Sequence, residues 1–240
     1  MVFHTPQKKF NVPSISIEGK PITCVDDFNF LGVVIDKNLK WQEHISKVKG
    51  KLFRGLGILN KLKFFLPENI KRLIYNTLIL PHLNYGLILW GHKSHKLFKV
   101  QKRVIRQIIC AKYNSHTDPI FKTLNLLKLQ DLYKLSEYKY YYKYKHNKLP
   151  ANQLLSLTQI EIHNYNTRNR TLMQQRKINH VFAEQLLSHR IPKLINATSE
   201  CVKDKITSLS QQGFAHFIKQ HFINDYKMNC YIENCYTCHQ

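Results

Sequence analysis

Acidic residues are scarce in this sequence: 15 Asp+Glu stand against 37 Lys+Arg, a formal charge of +22 over 240 residues. Glycine and proline are scarce too, with 8 of each, which excludes collagen-like and linker-like chains and favours helix. A membrane span needs about 18 or more consecutive apolar residues. Lys, His or Asn interrupts every long apolar stretch here, so no span is expected. No basic-then-apolar leader opens the chain, and an intracellular protein, nuclear or cytoplasmic, is expected. Phosphate-cradling glycine loops and the GxSxG and HExxH patterns are all missing. The 13 histidines show no pairing with a nearby acid at catalytic spacing. What is present suits a globular chain: 43% hydrophobic and 22% charged residues, enough for a sizeable core and too apolar for disorder throughout.

The missing acids matter most where the cations gather. Residues 40–112 carry 16 Lys+Arg against Glu43 and Glu68, a net +14. A concentrated positive field calls for a polyanion, because each neutralised phosphate releases counterions.

The order of elements follows from periodicity. Ser14–Ile17 and Ile22–Val25 flank the turn Glu18-Gly19-Lys20-Pro21, a hairpin signal, and Phe30–Ile35 reads as a third strand. The period then becomes helical. Trp41, Ile45, Val48, Leu52, Leu56 and Leu59 form one apolar stripe, and Lys47, Lys51, Arg54 and Lys61 form a basic one about a third of a turn away. Leu66-Pro67-Glu68-Asn69 opens a second helix, with Ile70, Leu73, Ile74, Thr77 and Leu78 inward and Pro81 as its end or kink. After Ser94, Leu97, Val100, Val104 and Ile108 face inward, while Lys96, Lys99, Arg103 and Arg106 repeat the basic stripe. These two stripes are the candidate nucleic-acid-binding residues.

Residues 113–128 read as a connector around Asp118-Pro119 followed by a short helix, and a long helix spans Gln130–Asn147. Its Tyr133, Tyr138, Tyr140, Tyr141, Tyr142 and Tyr144, interleaved with Lys139, Lys143 and Lys145, could stack bases or pack a core. Asn164–Arg170 is a polar loop, and an amphipathic piece spans Phe214–Tyr226. The fold class expected is α+β and mostly α-helical: an antiparallel β segment at 1–39, a helical bundle at 40–112 and a helical region at 113–240.

Candidate chemistry is sparse. Asp26-Asp27 invites a two-metal reading, but a turn between strands explains it better. Of Cys24, Cys110, Cys201, Cys230, Cys235 and Cys238, no disulfide framework is expected in a reducing compartment. Cys230, Cys235, Cys238 and His239 have ligand types suited to zinc, with His216 or His221 as substitutes. Adjacent Cys238 and His239 would crowd one another at a terminus, so no metal site is expected. Asn196-Ala197-Thr198 forms a sequon that means little without secretion.

The stretch FNFLGVVIDKNLKWQEH (Phe28–His44) resembles the segment after the active-site strands in reverse transcriptases of non-LTR, LINE-type, jockey-like retrotransposons. Phe30, Leu31, Gly32, Val33, Ile35, Asp36, Leu39, Trp41 and His44 carry the likeness. It continues through Ile74–Gly91 and Leu97–Ile108, more weakly through His163–Asn169, and departs beyond about 175, where Ile195-Asn196 stands for a usual Trp-Asn pair. Met1-Val2-Phe3 looks like the strand preceding the family's hairpin.

That resemblance implies residual palm strands over 1–39, with Phe30, Leu31 and Gly32 as primer grip, and a thumb over 40–112. It also implies a template–primer partner, an RNA–DNA hybrid or RNA. The family's Ala-Asp-Asp motif lies well upstream of the primer grip, whereas Asp26-Asp27 sit just before Phe30. The expectation is therefore a truncated, catalytically silent fragment with no cofactor of its own, Mg²⁺ belonging to the missing palm. The alternative is a non-enzymatic RNA- or DNA-binding protein derived from such an element. A third reading is a helical scaffold whose basic face meets a protein or an acidic membrane surface.

Overall fold

The computed structural model describes residues 1–4, 14–149, 157, 159–161, 171–175 and 183–227. The fold is α+β and mostly helical, with short antiparallel strand pairs. Two compact units divide the chain at Thr117 and Asp118.

In the first unit, β1 (Ser16–Ile17) and β2 (Lys20–Pro21) pair around Glu18-Gly19. Glu18 and Gly19 both have positive φ, the two-residue geometry whose twist matches the strands. Lys20-Pro21 therefore belongs to a strand, not to the turn expected from sequence, and Ile22–Val25 forms no strand. Met1–Phe3 is not a strand either; the backbone at His4 instead bonds to Lys37 and to the Asn38 side chain.

The apolar run 30–35 is a second correction. β3 (Asp27–Phe30) and β4 (Val33–Asp36) fold back on each other at Leu31-Gly32, with Phe30 opposite Val33. Leu31 has φ +47° and Gly32 φ +84°. Glycine adopts that conformation without steric cost, and a leucine does not. Asp26 and Asp27 sit at the mouth of this hairpin. Asp27 pairs across the ladder with Asp36, and the Asp26 carboxylate meets Lys37 Nζ at 2.8 Å.

Asp36 joins strand to helix. Its Oδ1 accepts from the Asn38 and Lys40 amides, at 3.1 and 3.0 Å, and its Oδ2 from the Trp41 amide at 2.7 Å. The carboxylate thus organises a turn in which Leu39 and Trp41 both have positive φ. Asp36→Ala orphans two partly buried N–H groups and an exposed one, and should cost about 2 kcal/mol or more. Both tryptophans, Trp41 and Trp90, lie in this unit, so Trp fluorescence in a urea titration reads the loss directly.

α1 (Gln42–Leu62) carries the stripe read from sequence: Trp41, Ile45, Val48, Leu52 and Leu59 are buried and Leu56 is half-buried. α5 (His95–Ile108) buries Leu97, Val100, Val104 and Ile108 and packs along α1. Each such side chain taken from water stabilises by about 1.5–3 kcal/mol.

Between them, α2 (Glu68–Ile74) runs into a wider π turn at Tyr75–Ile79, then α3 (Leu80–Asn84) and α4 (Leu87–Trp90). The inner face expected here is wrong. Lys71, Tyr75, Ile79, Leu83 and Leu87 are buried, whereas Ile70, Leu73 and Leu78 are exposed. The π winding explains this: Pro81 offers no amide to the preceding turn, the turn widens, and the inward face advances four residues at a time. α1 makes room with Gly55, where a Cβ would lie 2.8 Å from Ile79 Cγ1. Tyr75, its pKa pushed up to about 12 by burial, accepts at Oη from Gln101 Nε2 at 2.9 Å. Lys71 Nζ donates to Lys63 O at 3.2 Å and lies 3.3 Å from Cys110 Sγ, fastening the ends of α1 and α5 together.

The second unit is built on α7 (Leu129–Lys145), with α6 (Asp118–Thr123), α8 (Leu187–Asn196), α9 (Glu200–Ser208) and α10 (Gln211–Asn224). The short helix expected after Asp118-Pro119 is α6, which begins at Asp118 itself. β5 (Gln159–Glu161) and β6 (Thr171–Met173) pair antiparallel.

The tyrosines of α7 pack a core and do not form an open stacking platform. Tyr138, Tyr141 and Tyr142 are buried. Tyr138 shares a hydrogen bond with Thr198 at 2.8 Å, Tyr142 donates to Leu209 O at 2.9 Å, and Phe214 stacks on Tyr142 at 5.5 Å. Asn196 is also structural: its amide accepts from Met173 N at 2.9 Å and donates to Met173 O at 3.0 Å. The nitrogen that a glycan would modify is engaged, so the sequon marks a strand clamp.

Candidate nucleic-acid interface

Two grooves of the first unit collect the cations. The first lies beside the β3–β4 turn. Leu31, Gly32, Lys47, Lys51, His82 and Tyr85 contribute to the wall of a cavity of about 330 Å³, with His44 and Val48 at its base. Tyr85 Oη donates to Leu31 O, and Trp90 Nε1 donates to Tyr85 O at 3.1 Å. The fully buried Trp90 therefore anchors the tyrosine that anchors the turn. Leu31 itself is 75% exposed. The structure thus brings the turn against the first half of the α1 basic stripe, through residues of Ile74–Gly91.

Two histidines respond to that crowding of positive charge. Burial lowers the pKa of His44, and Lys47 and Lys51 lower it further. Burial also lowers His82, reinforced by Lys51 and Arg54. His44 Nδ1 accepts from the Val34 amide at 3.2 Å, which requires it unprotonated, while the ring tilts against Trp90 at 5.3 Å. A folded-state pKa below the ordinary 6.5 gives stability that is fully present above that pH and lost as pH falls through the lowered value. The Trp-monitored thermal midpoint should therefore drop between pH 7 and pH 5, and His44→Phe should reduce that drop.

The second groove, about 500 Å³, lies between α1 and α5. Its α1 wall, at Phe53, Leu56, Gly57 and Asn60, is roughly a third of a turn from the Lys47–Lys51–Arg54–Lys61 stripe. Arg103 and Arg106 of the α5 stripe line it. Arg106 Nε donates to Ser115 O at 2.9 Å, and burial lowers its pKa. The structure therefore does not merge the two stripes into one pocket. Lys47 and Lys51 face the hairpin, Arg103 and Arg106 line the α1–α5 groove, and Arg54, Lys61, Lys96 and Lys99 line neither. Lys47, Arg54, Lys61, Lys96, Lys99 and Arg103 are exposed, whereas Lys51 and Arg106 are half-buried. Among the described residues, none of these eight pairs with a carboxylate; the carboxylates there pair as Lys37–Asp26, Lys128–Asp118, Arg190–Glu137 and Lys203–Glu200.

Sequence reasoning missed Tyr85, His82, Lys63 and Tyr113 at these grooves. The pairing of Tyr85 with the turn had no local signal, because the two segments meet only in the fold. Phe30 flanks the turn on β3, half exposed to solvent. Metal candidates fare differently. Cys230, Cys235, Cys238 and His239 lie outside the described residues, as do His163–Asn169 and the 164–170 loop. Among the described residues, no group of three or more His, Cys, Asp or Glu side chains could hold a metal ion. Asp26 meets Lys37 in an exposed ion pair, and Asp27 faces Asp36 across the two-stranded ladder. No helix among the described residues is long and apolar enough to cross a membrane.

Over half its length the chain is similar to polymerases of mobile elements. It is 29% identical over 130 residues to the RNA-directed DNA polymerase from mobile element jockey of Drosophila melanogaster, covering 50% of this chain and 14% of that protein. It is 28% identical over 90 residues to the retrovirus-related Pol polyprotein from type-1 retrotransposable element R1 3 of Nasonia vitripennis, 36% of this chain and 23% of that one. It is 24% identical over 132 residues to the probable RNA-directed DNA polymerase from transposon X-element of Drosophila melanogaster, 52% and 14%. The matched stretch is thus a small part of each relative's length. No protein-family model matches the chain, and no solved structure matches it significantly.

Proposed function

We propose that this chain, by its sequence a relative of the reverse transcriptases of non-LTR, LINE-type mobile elements, holds a template–primer duplex through the first unit. Lys47, Lys51, Arg54 and Lys61 on α1, with Lys96, Lys99, Arg103 and Arg106 on α5, contact phosphates without reading base sequence. Phe30, Leu31 and Gly32 act as a primer grip, presenting the exposed turn to a strand end that the adjacent lysines hold by its phosphates. An RNA–DNA hybrid is the partner that kinship favours.

What supports this reading most is the set of basic residues, on two helices of one unit, that have no carboxylate partner among the described residues. A solvated face of a merely soluble protein interleaves both signs, and this one does not. In this reading the chain holds nucleic acid and does not polymerise: Asp26 meets Lys37 in an exposed ion pair, and among the described residues no group of three or more His, Cys, Asp or Glu side chains could hold a metal ion. Binding of a short RNA–DNA hybrid, with primer extension assayed on the same sample, tests both halves. Binding without synthesis is expected. Synthesis would overturn the assignment of Asp26-Asp27 as structural.

A further inference from the structure

The α1–α5 groove has a composition that phosphate gripping alone does not need. Tyr113 stands at its rim, 72% exposed. The Arg103 guanidinium lies 5.8 Å from the centre of the Tyr113 ring, against one face of the phenol. The segment carrying Tyr113 is fixed at both ends. Ala111 N bonds to Arg106 O at 2.9 Å, Ser115 N to Lys112 O at 3.1 Å, and Arg106 Nε to Ser115 O at 2.9 Å. Across the groove, Phe53 presents a second, half-exposed ring. Asn60 and Gln107 add side-chain amides, which can both donate and accept.

We propose that this groove is a subsite for one unpaired nucleotide, its base stacked on Tyr113 and its phosphate held at Arg103. The inference rests on the nucleic-acid-binding reading above and deepens it. A volume of about 500 Å³ falls in the range of small-ligand sites, roughly 300–1,000 Å³. An aromatic ring backed by arginine offers a π-face that any base can use. The amides of Asn60 and Gln107 match the mixed donors and acceptors of a base edge, which paired bases hide and an unpaired one exposes. Arg103 supplies the cation for the phosphate, while Arg106, its Nε committed to Ser115, positions Tyr113. A duplex interior cannot enter, because its bases are stacked and paired; a strand end can.

The test uses the full chain and two probes at one salt concentration: a blunt RNA–DNA hybrid, and the same hybrid with one unpaired 2-aminopurine nucleotide at an end. The overhang should raise affinity about tenfold, as one stacked base does, and quench the 2-aminopurine. Tyr113→Ala should abolish the gain and the quenching while leaving blunt-hybrid affinity within about twofold, and Tyr113→Phe should retain both. No gain from the overhang, with blunt hybrid still bound, overturns the subsite and leaves the duplex reading standing. A gain that survives Tyr113→Ala overturns its placement in this groove. Failure of both probes to bind sinks the duplex reading, and the subsite with it.

Discussion

Reversing charge at two positions, Arg54→Glu with Arg103→Glu, should weaken hybrid binding by about a hundredfold while leaving the fold intact. Each arginine lost removes a charge-assisted contact, about 1.5–3 kcal/mol, and each glutamate repels the backbone. Two such changes exceed the roughly 2.7 kcal/mol that a hundredfold represents. Neither residue belongs to the core: both are exposed and neither pairs with a carboxylate among the described residues. The tryptophan-monitored unfolding midpoint should therefore stay where it is. Unchanged affinity in the double variant would mean that these faces are solvated and not bound.

The second large effect concerns the other unit and is one of stability. Glu137 of α7 and Arg190 of α8 form a buried ion pair, Nε to Oε1 at 3.3 Å, with the Arg190 guanidinium 5.0 Å from the Tyr133 ring. Removing one partner of a buried pair costs about 3–5 kcal/mol, mostly for the charge left behind. The two partners are not equivalent. Burial raises the Glu137 carboxyl to about 7, so without Arg190 it can take up a proton and become neutral. Burial lowers Arg190 only to about 10, so at neutral pH it stays charged whatever faces it. Glu137→Gln should thus destabilise the second unit by about 3 kcal/mol, and Arg190→Met by distinctly less. Hydrogen exchange on α7 reads both losses.

Much of this architecture was legible in the sequence because the helices obey their period. The apolar stripes of α1 and α5 are regular, and the residues they single out are the buried ones. Legibility failed where backbone geometry departs from the ideal. The inner face through α2 and the π turn before Pro81 runs over Lys71, Tyr75 and Ile79, and an apolar pattern passes over it because it opens on a lysine. The run 30–35 looked continuous because Leu31 is apolar, yet it takes a left-handed conformation that β-propensity does not anticipate. The α7 tyrosines could not be assigned to stacking or packing from consecutive positions alone; α10 decides it by covering Tyr142 with Phe214. The partners of the site are long-range. Tyr85 reaches Leu31 and Arg106 reaches past the end of its own helix, and neither contact leaves a periodic trace.

If the basic faces of α1 and α5 bind nucleic-acid phosphates, affinity for a short RNA–DNA hybrid must fall steeply as salt concentration rises. Each phosphate contacted contributes about −0.9 to the log–log slope. A slope of about −4 or steeper is expected, reduced by roughly 2 in the Arg54→Glu, Arg103→Glu variant. Weak binding that does not change with salt would contradict it.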